Sequence, residues 1–404
     1  MTLINRRTFN AALMGLPLGS TMAGSALAKG TGAFPFLIGA DVSWVPQDEA
    51  AGAVYYDKGV KGDILDILKA NGFNAIKLRL FVNPEKGYAL KAAANPEPDA
   101  PWCGLTQTIR MAKRVKAAGM HLSLTFHYSD TWADPQKQSK PEAWAGLAFP
   151  ELVKAVGDHT RTSLEAMKAA DALPDLILIG NEITFGMLWP DGRVPLSVPT
   201  GNPQTDAVHM NVPDAGGFDK LAQLLNAGLE ASRAVAPKSK TAVHNHLGRH
   251  WPIVKNWTDN LLSRGVRFDS VGFSCYQQAE QGDWARTFSA FVKTYPKHDF
   301  FVSEYSSRKR YLNDLVHNNP GRPGLGTYIW EPTRHQEALF DRDGVTMGEG
   351  PKPDLLRDGV NSAEAPGAVP APAGEPRKRR PAGGRYDANG LMNVYRKMAK
   401  DYRG

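Results

Sequence analysis

The stretch FPELVKAVGDHTRTSLEAMKAADALPDLILIGNE, residues 149–182, holds one full turn of the pattern that decides the fold. Residues 149–170 carry apolar side chains at helical spacing, and residues 176–182 form a short apolar run that ends in Asn181 and Glu182. The unit recurs on both sides. Upstream lie the strand-like runs FLIGADVS (36–43), NAIKLRLF (74–81) and HLSLTFH (121–127), and downstream KTAVHNH (240–246), SVGFSCY (270–276), DFFVSEY (299–305) and GTYIWEP (326–332). Amphipathic stretches at 62–72, 105–119 and 218–235 alternate with them, and Gly72 and Gly119 stand where helices close. Eight apolar runs separated by helices predict a (β/α)₈ TIM barrel, an α/β fold. No fixed-period repeat points to a solenoid.

The flanks follow a different pattern. Arg6 and Arg7 precede an apolar stretch from Ala11 to Ala28 that closes on Ala26, Leu27 and Ala28. This predicts a signal peptide over residues 1–28, twin-arginine-like or of the ordinary secretory kind, and export to the periplasm or the extracellular space. The stretch is too short and glycine-broken for a permanent anchor, so no stable membrane insertion is expected after cleavage. Residues 29–404 are expected to form one catalytic domain. Between about 345 and 384, Pro, Gly, Ala and charge replace periodicity, which predicts a flexible insertion in the last strand-to-helix connection before LMNVYRKMAKDY resumes a helix.

Of the 404 residues, 42% are hydrophobic and 22% charged, an ordinary balance for a soluble globular chain. The formal charge of +7 falls to +5 once the signal segment and its two arginines are gone. The basic run Arg377 to Arg380 has no aromatic residues interleaved with it, so nucleic acid is not an expected partner. Cys103 and Cys275 allow at most one disulfide between them, and the sequence leaves that pairing open.

In such a barrel, residues at the carboxyl ends of strands line the active site. The runs here end in Asp41, Arg79, His127, Asn181 with Glu182, His244 with His246, Tyr276, Glu304, and Trp330 with Glu331. Glu182 and Glu304, ending the fourth and seventh runs, are the candidate catalytic carboxylates. Two acids across a narrow mouth suit glycoside cleavage: about 5 to 5.5 Å between them implies retention of configuration, and about 6.5 to 9.5 Å implies inversion. Arg79 is expected beside Glu304 as a positive charge, with Tyr276 donating a hydrogen bond to the same carboxylate. Asn181 suits a contact with the sugar 2-hydroxyl. Trp44, Trp132, Trp189 and Trp330 are candidate stacking platforms. His127, Asp130, Asp134, Gln138 and His244 are candidates for a hydrogen-bonded lining, with loop capping an equal expectation for the two aspartates.

The segments GADVSW, KLRLFVNP, HYSDTWADPQKQSKPEAW, IGNEITFGMLWP, FVSEY and YIWEP together resemble glycoside hydrolase family 53, the endo-β-1,4-galactanases. The resemblance covers about residues 36–344. It implies a retaining mechanism with Glu182 as acid/base and Glu304 as nucleophile, acting within β-1,4-linked galactan or type I arabinogalactan of plant cell walls. No cofactor is implied for the chemistry, and no aspartate-rich loop marks the structural calcium ion that some bacterial relatives carry. SSRKRY after the seventh run departs from the family pattern and is expected to alter a rim loop. Two rival classes remain: a metal-dependent hydrolase using His244, His246 and His127, and a secreted barrel that binds oligosaccharide without cleaving it.

Overall fold

Continuous apolar, β-branched runs suit strands covered on both faces, and all eight become parallel strands. They are β1 (Leu37–Asp41), β2 (Ala75–Leu80), β3 (His121–Phe126), β4 (Leu176–Ile179), β5 (Lys240–Asn245), β6 (Ser270–Ser274), β7 (Asp299–Tyr305) and β8 (Gly326–Trp330). Each pairs with its sequence neighbours, and β8 pairs with β1 from Leu37↔Gly326 to Asp41↔Trp330, which closes the sheet. The computed structural model describes residues 35–88, 101–276, 283–334, 337–344 and 383–403. Among these the helices that return the chain from one barrel strand to the next are α1 (Ile64–Ala70), α2 (Leu105–Ala117), α3 (Phe149–Ala169), α4 (Gly217–Val235), α5 (Trp251–Ser263), α6 (Trp284–Thr294) and α7 (Lys309–His317), with α8 (Met392–Arg403) following the last strand; two short helices, Val45–Ala50 and Pro203–His209, lie in the loops after β1 and β4. The expected (β/α)₈ barrel is therefore the fold.

Local chemistry sets the helix ends. Asp63 accepts from the Leu65 amide at 2.7 Å to start α1, and Asp283 does the same for Ala285 at 2.9 Å to start α6. Gly72 closes α1 at φ +98°, and a Cβ there would lie 2.6 Å from the Ala399 Cβ, so the same glycine lets α8 pack against the α1 terminus. Inside the barrel Gly39 makes room for Tyr328, whose ring would stand 2.3 Å from any Cβ at that position. The Tyr328 hydroxyl, with no water to reach, meets Ser123 Oγ at 2.6 Å.

One feature above the barrel escaped the sequence reading. Strands Ala53–Asp57 and Val60–Gly62 form a hairpin turning on Lys58 and Gly59, both with positive φ. This hairpin pairs with Gly384–Ala388, which pairs in turn with Phe340–Arg342. A four-stranded sheet thus ties the loop after β1 to the loop after β8. Residues 1–28, the basic run 377–380 and the expected insertion up to residue 382 lie outside the described residues, while its last residue, Gly384, opens a strand. Of SSRKRY, Ser306 to Arg308 form the short half-exposed connection after β7 and the rest is helical. Lys309, opening α7, is fully buried and paired to Glu337 at 2.9 Å. Cys103 and Cys275 are both buried, free thiols.

Candidate active site

β4 leaves the sheet at Ile179, and Gly180 at φ +84° followed by Glu182 at φ +50° lifts the glutamate over the barrel mouth. A non-glycine residue in the left-handed region costs about 1 kcal/mol or more and persists where its surroundings hold it. Glu182 remains partly open to a cleft of about 450 Å³, which Asp134, Phe185, Thr200, His246, Tyr276 and Trp284 also line. Ser274, the last residue of β6, has its Oγ 2.6 Å from Glu182 Oε1. Desolvation by the surrounding protein, and then the charge of Glu304, push the Glu182 carboxyl up to about 8.

Glu304 sits on β7 and is 7% exposed. Tyr276 donates to its Oε2 at 2.9 Å, as the sequence predicts. The cation differs from expectation. Lys77 Nζ lies 3.0 Å from Glu304 Oε1, 3.4 Å from Asp41 Oδ2 and 2.9 Å from the Ser303 carbonyl. Arg79 instead pairs with Glu331 at 2.6 Å and approaches Asp41 at 3.6 Å. Lys77 and Arg79 alternate on β2, so both point inward, but Lys77 stands level with Asp41 and Arg79 two residues nearer the rim. Burial opposes the charge on Lys77, yet Glu304 and Asp41 together outweigh it and raise its affinity for a proton. Lys77 went unnoticed in the sequence, although its two-residue spacing from Arg79 was a usable signal.

We expect Lys77→Met to lose about 3 kcal/mol of stability, because it strands two buried carboxylates without their shared cation. Urea unfolding of the intact protein measures this; a loss below about 1 kcal/mol would show the cation to be dispensable.

Three of the four expected tryptophans gather at the mouth. The ring of Trp44 lies 5.2 Å from that of Trp132 and 5.4 Å from that of Trp330. The Arg79 guanidinium lies 4.7 and 4.0 Å from the centroids of Trp44 and Trp132, which ties this cluster of mutually inclined rings to a buried cation. Trp189 stands apart, donating from Nε1 to the Phe185 carbonyl at 2.9 Å beneath the Arg193 guanidinium.

The hydrogen-bonded lining needs two corrections. Asp130 does not face the cleft as a ligand: Oδ1 accepts from the Asn83 amide at 2.9 Å and Oδ2 from the Glu142 amide at 2.8 Å, so it braces two loops. His244 is fully buried below the surface, held by Asn181 Oδ1 at 3.2 Å and Ser274 Oγ at 3.0 Å, and supports the site from underneath. Asp134 caps its own turn through the amides of Gln136 and Lys137, while its loop borders the cleft. Gln138 donates to the Asn181 carbonyl at 2.8 Å, and Asn181 Nδ2 donates to the Ala133 carbonyl at 2.9 Å. His127 is buried, with Nδ1 accepting from the Ala133 amide at 3.2 Å; burial and then Arg79 push it well below its ordinary range.

The histidines of the metal alternative do not converge. His246 Nδ1 meets Thr184 Oγ1 at 2.8 Å, and both His244 nitrogens have partners. No group of three or more His, Cys, Asp or Glu among the described residues has metal-holding geometry.

Comparison with known proteins bears on the family and the fold. The family model described as Glycosyl hydrolase family 53 matches residues 37–311. An uncharacterized protein from the bgaB 5' region of Niallia circulans is 32% identical over 334 residues, covering 74% of this chain and 83% of its own. The probable arabinogalactan endo-β-1,4-galactanase A of Neosartorya fischeri is 29% identical, over 75% of this chain and 85% of its own. Among solved structures, the Ignisphaera aggregans GH53 catalytic domain superposes with a TM-score of 0.64 at 28% identity, covering 90% of this chain and 96% of that one. With its closed barrel and the family match over residues 37–311, the chain is a glycoside hydrolase and belongs to glycosyl hydrolase family 53.

Proposed function

We propose that the protein cleaves β-1,4-galactosidic bonds inside galactan and type I arabinogalactan chains with retention of configuration. One observation carries the roles: β6 and its end hold both acids, Ser274 at Glu182 and Tyr276 at Glu304, in opposite electrostatic settings. Glu182 sits where the proton is favoured, at about 8, while Glu304 sits against the Lys77 ammonium. The substrate rests on the relatives named as arabinogalactan endo-β-1,4-galactanases.

In the first step the Glu304 carboxylate attacks the anomeric carbon. The bond to the leaving oxygen breaks, and that oxygen takes the Glu182 proton. In the second step the Glu182 carboxylate takes a proton from water, whose oxygen attacks the same carbon and expels Glu304. Two inversions give net retention, and no cofactor is needed. Asn181 offers its remaining amide hydrogen to the sugar 2-hydroxyl, Trp330 forms the platform under the cleaved residue, and Trp44, Trp132 and Trp189 contribute apolar faces. Residues 29–404 form one catalytic domain behind a cleaved export signal, and the protein works in the periplasm or outside the cell. No helix among the described residues is long and apolar enough to cross a membrane.

On linear β-1,4-galactan we expect viscosity to fall ahead of reducing-end release, and NMR to detect the β-anomer first. Glu182 must carry its proton to act as acid, so kcat/KM should fall as pH rises through about 8. An α-anomer first, or no cleavage of galactan, would overturn the proposal.

A further inference from the structure

A line of hydrogen bonds runs under Glu182, and its direction is set at the far end. The Ala133 carbonyl can only accept, so Asn181 Nδ2 must be the atom donating to it at 2.9 Å. That orientation turns Asn181 Oδ1, another pure acceptor, toward His244 Nδ1 at 3.2 Å. Two acceptors cannot share a hydrogen bond, so Nδ1 carries a hydrogen. His244 is fully buried, and burial followed by Lys77 pushes it well below its ordinary range, so its ring is neutral and holds one proton only. His244 Nε2 is then a lone pair 3.0 Å from Ser274 Oγ, and the serine gives it its single hydrogen. A serine turned to the ionised carboxylate would donate to it and lower its affinity for the proton; with Glu182 protonated, Ser274 Oγ instead has only lone pairs to offer Oε1, 2.6 Å away, and the Glu182 hydroxyl donates.

We infer that Asn181, His244 and Ser274 form a directional relay that presents an acceptor to Glu182 and so holds it in its protonated form. This rests on reading Glu182 as the proton donor and adds His244 and Ser274 as positioning residues. Ionised Glu182 has two arrangements open to it, both poor. Either two acceptors face each other, or Ser274 turns to the carboxylate and leaves the buried His244 Nε2 without a partner. The relay therefore disfavours the carboxylate left by the first step and favours its recovery of a proton from water in the second. Lys77 on β2, His127 and Asp134 in the loop after β3, His246 just after β5, Tyr276 after β6 and Glu304 on β7 also face this region. They act through space, and none occupies a link of the line.

The test compares Ser274→Ala and His244→Phe with the intact enzyme. If the relay operates, Ser274→Ala removes the acceptor for the Glu182 proton, and His244→Phe frees the serine to donate to the carboxylate. Both move the basic limb of kcat/KM to lower pH, by about one unit. If Ser274 instead donates to Glu182 in the resting enzyme, Ser274→Ala moves the limb to higher pH, which overturns the inference. A second readout needs no activity: ¹⁵N-histidine NMR of the intact protein near pH 6 should find His244 in the Nδ1–H tautomer, its signal assigned by its shift in Ser274→Ala. An Nε2–H ring or an imidazolium overturns the relay. Full activity in Glu182→Gln would instead sink the donor reading, whichever tautomer is found.

Discussion

Glu304→Gln is expected to lower kcat on β-1,4-galactan by about 10⁴-fold or more, the scale on which loss of a covalent nucleophile falls. The amide keeps the shape of the carboxylate but has no charge with which to attack the anomeric carbon. Lys77 keeps its contacts with the Ser303 carbonyl at 2.9 Å and with Asp41 at 3.4 Å, so the variant should fold. Circular dichroism and a cooperative melt would establish that the loss is chemical. The role is then tested by stereochemistry in Glu304→Ala, which leaves a space on the nucleophile's face. With azide and dinitrophenyl β-galactobioside, azide enters that space and displaces dinitrophenolate in one step. One displacement inverts, so the product is the α-galactosyl azide. If Glu304→Gln retained more than about 1% of activity, or Glu304→Ala gave the β-azide, Glu304 would not be the nucleophile.

How much of this was visible in the sequence depended on which forces set each feature. All eight barrel strands were legible, because a parallel strand buried on both faces must be a short apolar run and the helices between supply the other period. The predicted runs overshoot at their carboxyl ends for one reason: Glu182, Tyr276 and Glu331 lie just past the last ladder pair, where the chain leaves the sheet and presents side chains to the mouth. Both glutamates and Tyr276 could thus be placed. The cation facing Glu304 could not, since Lys77 and Arg79 share one inward face of β2 and the barrel's stagger decides which level each reaches. His244 was misplaced for a similar reason. Its position near a strand end resembles that of a ligand-contacting residue, yet its alternation turns it inward beneath Ser274. Asp130 shows the limit of composition: a carboxylate in a loop serves sugar or backbone equally well, and here two amides claim both its oxygens. The hairpin at Ala53–Gly62 carried a local turn signal at Lys58 and Gly59, but its partner Gly384–Ala388 is remote in sequence, and no local pattern announces such pairing.

Glu182→Gln should separate two substrates by how much protonation their leaving groups need. On galactan the leaving oxygen is a sugar hydroxyl that must be protonated as its bond breaks, and kcat/KM is expected to fall about 10³-fold, within the range for a lost general acid. Dinitrophenolate needs no such help. With dinitrophenyl β-galactobioside the first step should stay near the intact rate, while the second slows for want of a base to activate water. The kinetic result is a burst of dinitrophenolate equal to the enzyme present, followed by slow turnover. Glutamine keeps the length of the side chain and meets Ser274 without a charge, so binding should change little. Removing the carboxyl group whose proton affinity burial and the Glu304 charge raise should also flatten the basic limb of the pH profile. Azide attacks the galactosyl intermediate without needing a base; in Glu182→Ala it restores turnover and, after two displacements, yields the β-galactosyl azide. That product is the opposite anomer from the one expected with Glu304→Ala, so the pair of variants assigns each glutamate by stereochemistry rather than by loss of rate. Equal losses on galactan and on the activated glycoside, with no burst, would remove Glu182 from the role of proton donor.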